Sequence, residues 1–119
     1  FIVSCHDISD GGLSVALAEC SILSGLGAQI NIRDDIREDK LLFGEGGSRI
    51  IFSIDINKKD NWLKYLDEVN GKSKNNIYIN KIGVVSDNKL KIKYLNKVIC
   101  DLKVSALADK FNNGIIKNF

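Results

Sequence analysis

Apolar residues recur along the chain with two different periods, and the alternation between them predicts a succession of strands and helices. Leu13, Ala16, Leu17 and Cys20 follow the i, i+3, i+4, i+7 spacing of one helix face. Glycines at positions 25 and 27 are expected to end that helix, because glycine adopts the left-handed conformation at little cost. The apolar stripe of the helix, which includes Leu23, is expected to be core. The predicted strands are 1–4, 28–33, 49–54, 77–85, 90–94 and 98–102, and the predicted helices are 13–24, 34–43, 57–69 and 104–111.

Two details of this pattern carry structural predictions of their own. The strands at 1–4 and 49–54 are rich in Ile, Val and Phe and are predicted to be buried. The turn residues Ser86, Asp87 and Asn88 lie between two apolar runs, which predicts a hairpin. The mixture of elements predicts an α+β fold, with a mixed, mostly antiparallel β-sheet and helices packed on it.

Composition and charge remove several classes of function. The chain has 119 residues, a length expected for one domain (1–119), and its net charge of +2 comes from scattered lysines and arginines. Such a distribution does not form the dense basic patch that nucleic acid binding requires. The sequence has neither an apolar run of about 18 residues nor a secretory signal. Three distant cysteines and one histidine show no zinc spacing, so we expect free thiols, a cytoplasmic location and no membrane partner.

The segment from His6 to Leu13, HDISDGGL, lies between a predicted strand and a predicted helix. Glycines at a helix N-terminus allow an anion to approach the backbone, but the acidic residues oppose phosphate unless a magnesium ion lies between them. The alternative is a self-capped turn, in which Ser9 or Asp10 accepts from the first free N–H groups. His6 beside Asp7 is either an oriented base or a hydrogen-bonded structural residue.

A second glycine-rich segment, GEGGSR at residues 44–49, leads into a predicted strand. Glu45 could bind a ligand or a metal, Ser48 could donate to a phosphate oxygen, and Arg49 could hold a phosphate or carboxylate through two hydrogen bonds. The alternative is a tight turn in which Arg49 pairs with Asp7 or Asp10. The two loops flank predicted strands, so we expect them to be adjacent in space.

Three segments carry a resemblance to a known family. They are SCHDISDGGLSVALAE (4–19), LLFGEGGSRIIFSI (41–54) and NKIGVVSDNKLKI (80–92). They closely resemble the C-terminal domain of the phosphoribosylformylglycinamidine synthase family, synthetase subunit. That family lies within the aminoimidazole-ribonucleotide-synthetase-like superfamily, and the resemblance extends over nearly the whole chain. The absence of methionine and the apolar start suggest that the chain is a fragment of a longer protein.

The resemblance implies a fold and an activity. The fold would be that of the aminoimidazole ribonucleotide synthetase C-terminal domain. The full-length enzyme would use ATP, Mg²⁺ and glutamine-derived ammonia to convert formylglycinamide ribonucleotide to the amidine, as a C–N ligase. The isolated domain would be inactive and would hold no cofactor tightly. The implied partners are the preceding domains of the same chain, a glutamine amidotransferase subunit and a small accessory subunit.

Carried over position by position, the resemblance marks substrate- or phosphate-binding candidates but assigns no catalytic residue and no metal ligand. Gly46 stands where the family commonly has serine, which weakens direct phosphate contact by that loop. The alternatives are a non-catalytic assembly domain of the same synthetase, or a relative of the thiamine-monophosphate kinases and hydrogenase-maturation proteins. The candidate positions are Asp7, Ser9, Asp10, Gly11, Gly12, Glu45, Ser48 and Arg49.

Overall fold

The fold is α+β, and the computed structural model describes the backbone of residues 1–118 and the side chains of residues 1–114. The strands are β1 (Ile2–Asp7), β2 (Gly27–Ile32), β3 (Ile50–Ile54), β4 (Gly83–Ser86), β5 (Lys89–Tyr94) and β6 (Lys97–Lys103). The helices are α1 (Gly12–Ser24), α2 (Glu38–Phe43), α3 (Lys59–Lys72) and α4 (Val104–Asn118), and a 3₁₀ turn at Ile56–Lys58 precedes α3. No helix in the described part of the chain is long and apolar enough to cross a membrane.

The main sheet contains four strands in the order β4-β2-β5-β6. β2 pairs with β5 in parallel, whereas the β2–β4 and β5–β6 pairs are antiparallel. This arrangement confirms the predicted mixed, mostly antiparallel sheet.

The predicted hairpin at residues 86–88 is wrong, because β2 lies between β4 and β5 in the sheet. The chain passes from β4 to β5 over the first residue of β2, where the Gly27 N–H donates to the Asp87 carbonyl at 2.9 Å. A Cβ atom at Gly27 would lie 2.0 Å from the Lys89 carbonyl oxygen, so this crossing requires glycine. The tight hairpin instead joins β5 to β6, with Leu95 and Asn96 both at positive φ.

Two further boundaries differ from the sequence-based expectation. Of the predicted strand at 77–85, only β4 forms. The cause is that the side-chain amide of Asn70, at the end of α3, binds both the N–H and the carbonyl of Ile77. The predicted helix at 34–43 begins only at Glu38. The residues before it form a loop in which the Tyr94 hydroxyl donates to the Asp34 carbonyl at 3.0 Å.

The core lies between α1, α2 and one face of the main sheet. Leu13, Ala16 and Leu17 of α1 are buried as predicted, and Leu90 at the centre of the sheet is 1% exposed. The predicted buried stripe of α1 is wrong at the C-terminal end of the helix, because Leu23 is 84% exposed and Ser21 is buried instead. Gly25 ends α1 in the left-handed conformation, and its N–H donates to the Ser21 carbonyl.

β1 and β3 form a separate antiparallel ribbon, in which Cys5 lies opposite Phe52 and Asp7 lies opposite Ile50. The prediction that these strands are buried is wrong: Val3 is 71% exposed and Ile50 is 61% exposed. The cause is that the ribbon has no place in the main sheet, so only part of each face is covered. One covering element is α3, whose aromatic side chains pack on the ribbon through the cluster Phe1, Phe52, Trp62 and Tyr65.

Candidate functional site

The two glycine-containing loops lie side by side at the end of the ribbon. The last register pair of the ladder joins Asp7 to Ile50, and one residue further the Ile8 N–H donates to the Arg49 carbonyl at 3.0 Å. This contact confirms the prediction that the loops are adjacent. The ribbon ladder is therefore what positions one loop against the other.

The start of α1 is capped by the second loop. Gly11 is the residue that precedes the helix, and its N–H donates to Oε1 of Glu45 at 2.9 Å. The prediction that Ser9 or Asp10 caps the helix is wrong, because the capping residue is Gly11 and neither of those side chains accepts a hydrogen bond from the start of α1. Instead the Gly12 N–H donates to the Ser9 carbonyl at 3.1 Å, and this turn carries both glycines at positive φ. A carboxylate thus already occupies the position at the helix N-terminus that favours an anion.

Arg49, in the second loop, binds the end of α2, on the other side of the junction where the two loops meet. Its guanidinium donates to the Gly44 carbonyl and, at 3.5 Å, to the Leu41 carbonyl, so it binds free carbonyl groups at the end of α2. The predicted pairing of Arg49 with Asp7 or Asp10 does not form. Glu45 and Arg49 therefore fasten the end of α2 to the start of α1.

Five candidate side chains are exposed at this junction: Asp7, Ser9, Asp10, Glu45 and Ser48. Ser48 is held at φ 66°, a left-handed conformation that a non-glycine residue adopts at some cost. The side chains of Asp10, Ser9 and Ser48 have no hydrogen-bond or ion-pair partner within residues 1–114. They are available to a ligand or to another protein surface.

The described residues do not fit a complete nucleotide or magnesium site. No group of three or more His, Cys, Asp or Glu side chains within them is arranged to hold a metal ion. The helix N-terminus that could receive a phosphate is bound to Glu45, and Asp7 and Asp10 add further negative charge nearby. A phosphate ligand at this junction would need positive charge from outside these residues.

His6 joins β1 to α1 beside the same junction. Its Nδ1 donates to the Asp7 carbonyl and its Nε2 donates to Oε2 of Glu19 at 3.0 Å. Both ring nitrogens face oxygen acceptors, and only the protonated imidazole has two N–H donors. The hydrogen bond to the Asp7 carbonyl, followed by the bond and charge of Glu19, raises the pKa of His6 above its ordinary value, although burial opposes this. No sequence pattern pointed to Glu19, because it lies 13 positions from His6 and beyond a turn.

The geometry around His6 predicts a pH dependence of stability. Because the folded-state pKa is raised, the stabilisation is complete below the unfolded-state pKa of about 6.5 and disappears as the pH rises through the folded-state value. Urea unfolding between about pH 6 and about pH 9 should therefore show a stability decline that His6→Gln lacks. Glu19→Gln, which keeps the imidazole, should show a smaller decline. A His6→Gln protein with the wild-type pH profile would contradict this role.

The sequence that forms this site matches a known protein family. Residues 2–94 match the family described as AIR synthase related protein, C-terminal domain. The chain belongs to this family.

The relatives and solved structures extend the similarity over nearly the whole chain. The chain is 56% identical over 116 residues to the phosphoribosylformylglycinamidine synthase subunit PurL of Prochlorococcus marinus strain MIT 9312, covering 97% of the chain and 15% of that protein. It is 53% identical over 119 residues to the same subunit from strain MIT 9301, with 99% and 15% covered. Thus it spans about 15% of the length of these relatives.

Two solved structures share the fold. The chain superposes on PurL of Thermotoga maritima complexed with ATP with a TM-score of 0.69 at 18% identity, over 90% of this chain and 19% of that one. The match to the PurLQS structure from Thermotoga maritima has the same TM-score and identity, over 90% and 18%. These likenesses confirm the expected α+β fold.

Proposed function

We propose that the chain is the C-terminal domain of a phosphoribosylformylglycinamidine synthase synthetase subunit. The single observation that carries the proposal is 56% identity to such a subunit across 97% of the chain. The full-length protein would convert formylglycinamide ribonucleotide to the amidine with ATP and glutamine-derived ammonia, in purine biosynthesis. The names of the relatives favour this activity over that of a thiamine-monophosphate kinase or a hydrogenase-maturation protein.

Residues 1–119 form one domain in this proposal. Support comes from β6 and α4, which lie beyond the matched region but join the same structure: β6 pairs with β5, and Leu107 of α4 packs against the core. The implied partners are the preceding domains of the same polypeptide, a glutamine amidotransferase subunit and a small accessory subunit, and the location is the cytoplasm. A Thermotoga maritima relative is described as part of a PurLQS assembly, which supports a multi-subunit enzyme.

Within that enzyme the chain would supply one wall of a ligand cleft. Glu45 and Arg49 set the backbone of the two loops, and the exposed Asp7, Asp10 and Ser48 side chains face outward from it. ATP and Mg²⁺ would be bound mainly by the remainder of the polypeptide, since the described residues do not form such a site. A carboxylate or hydroxyl in a fixed position can orient a substrate amine or hydroxyl, which is a positioning role rather than a chemical step.

A non-catalytic assembly domain is the second candidate, and a specific observation favours it. Glu45 and Arg49, two of the candidate binding residues, make their hydrogen bonds within the chain itself. In this alternative the two loops only fasten α1 to α2, and Asp7 and Asp10 are solvent-exposed charges without a ligand.

Complementation separates the two candidates. A strain lacking the synthetase receives the full-length gene with Asp7→Asn and Asp10→Asn, and growth without purines is measured beside the level of soluble protein. These changes preserve shape and remove two exposed charges, so folding should persist. We expect growth to fail, with kcat/KM of the purified enzyme reduced about tenfold or more.

The matched control replaces two exposed carboxylates on α3, Asp60→Asn with Asp67→Asn, and should grow normally. Normal growth of the Asp7 and Asp10 variant would sink the cleft proposal and leave the assembly domain. Lost growth with lost soluble protein would be resolved by assaying the purified Asp10→Asn single variant, because the exposed Asp10 side chain has no hydrogen-bond or ion-pair partner within residues 1–114.

A further inference from the structure

A cavity of about 390 Å³ lies between α1, α2, α4 and the main sheet. Leu90 and Ile92 of β5 form its floor. Its walls include Ala18 of α1, Leu42 of α2 and Leu107 of α4. Ligand sites in proteins are mostly apolar and have volumes of about 300–1,000 Å³. The cavity has this character and lies near the lower end of the range, so it has room for a compact molecule only.

Two polar side chains in the lining of this cavity are without a partner. Glu38, the first residue of α2, is half-buried, and Ser14 is half-buried in the first turn of α1. Within residues 1–114, neither side chain makes a hydrogen bond or an ion pair. A half-buried carboxylate of this kind has lost part of its hydration and has gained no compensating contact, which a cationic ligand would supply.

Water alone fills such a space poorly. A water molecule inside a protein makes about three hydrogen bonds, and Glu38 and Ser14 are the only polar side chains in the lining among the described residues, apart from the thiol of Cys100. An apolar body is therefore favoured in the cavity, with a positively charged group beside Glu38. Since a cavity of about 150 Å³ already holds a benzene ring, a ring with a short side chain fits.

We propose that the cavity binds a small organic ammonium compound, whose apolar body of about six to ten carbon atoms lies on Leu90 and Ile92 and whose ammonium group donates to Glu38. This site is separate from the junction of the two loops. Glu38 begins α2, whereas Arg49 binds the Gly44 carbonyl at the other end, about 9 Å along the helix. The inference therefore does not rest on the proposed function.

Cys100 reports on the occupancy of the cavity, because its side chain lies in the lining, whereas the exposed Cys5 lies on the ribbon. In the full-length protein, both thiols are modified with methyl methanethiosulfonate, and the rate at each thiol is followed by peptide mass spectrometry. Burial raises the pKa of the Cys100 thiol, so the labelling is run at about pH 8.5. Phenethylamine is the probe, and phenethyl alcohol, which has a hydroxyl group in place of the ammonium group, is its neutral counterpart.

We expect phenethylamine near saturation to slow the labelling of Cys100 about tenfold and to leave Cys5 unchanged. Phenethyl alcohol should need an about tenfold higher concentration for the same protection, because a hydrogen bond between two charged groups is stronger. Glu38→Gln should remove this preference for the amine, whereas Glu68→Gln, at an exposed position of α3, should keep it. Ala18→Leu fills the cavity and should abolish protection by both compounds, whereas the smaller Ala18→Ser should retain it.

Cys100 labelling that phenethylamine leaves unchanged would overturn the proposal, and so would equal slowing at Cys5, which would show a non-specific effect. A Cys100 thiol that reacts only in urea would also overturn it, because another part of the protein would then close the cavity. Equal protection by the amine and the alcohol would reject an ammonium ligand. If the Ala18→Leu protein does not fold, the comparison of Glu38→Gln with Glu68→Gln decides alone.

Discussion

Replacing Gly27 by alanine is expected to lower the free energy of unfolding by about 3 kcal/mol or more. The added Cβ would lie 2.0 Å from the Lys89 carbonyl oxygen and 2.5 Å from the Lys89 nitrogen, and both are backbone atoms that cannot rotate away. Relief would require β5 to move away from β2, which would break the parallel ladder that places Leu90 and Ile92 in the core. Urea unfolding followed by circular dichroism measures the loss.

Gly71→Ala is the matched control for this substitution. Gly71 lies in the last turn of α3, and an added Cβ there meets no atom within 4 Å. Alanine should raise stability by about 0.5 kcal/mol, since it has the higher helix propensity and restricts the unfolded chain. Equal stability of the Gly27→Ala and Gly71→Ala proteins would show that β4 does not cross to β5 over Gly27.

The Gly27 crossing also explains why the sheet order could not be predicted. Turn residues at 86–88 between two alternating apolar runs favour a hairpin on local grounds, and no local pattern reveals that β2 enters between them. A glycine at the start of a strand was the available signal, because it marks a close backbone approach. Gly27 is instead expected, with Gly25, to end α1, although Gly25 alone does so.

Burial was mispredicted for a related reason. Apolar side chains on β1 and β3 favour buried strands on local grounds, but periodicity does not show whether another element covers them. In the described chain Val3 and Ile50 remain exposed, because β1 and β3 pair only with each other and lie outside the main sheet. Apolar composition alone therefore does not place a strand inside the main sheet.

The candidate site was located better than its chemistry was predicted. Both loops were found from glycine spacing and their contact was expected, but the roles of individual side chains depend on tertiary contacts. Glu45 reaches Gly11 across 34 residues, and Arg49 turns toward α2 rather than toward the aspartates. Residue type alone cannot separate a ligand-binding carboxylate from one that caps a helix, because both need the same acceptor oxygens.

The second large effect is expected at Gly12, where the start of α1 meets the end of α2. A Cβ there would lie 2.6 Å from the Leu42 carbonyl oxygen and 2.8 Å from the Phe43 Cα, at a residue whose φ is 71°. Gly12→Ala should therefore lower the free energy of unfolding by about 3 kcal/mol, through left-handed strain of about 1 kcal/mol and the displacement of α2.

Gly25 offers an unusually close control, because its φ is also 71° and an added Cβ meets no atom within 4 Å. Gly25→Ala should cost about 1 kcal/mol from backbone strain alone. The difference between the two substitutions, measured by urea unfolding under one set of conditions, isolates the contact between the start of α1 and the end of α2. A difference close to zero would mean that α2 yields freely, so that Glu45 and Arg49 could not hold the two loops in a fixed relation. A difference of about 2 kcal/mol would mean that the loops are held rigidly, as a wall of a ligand cleft requires.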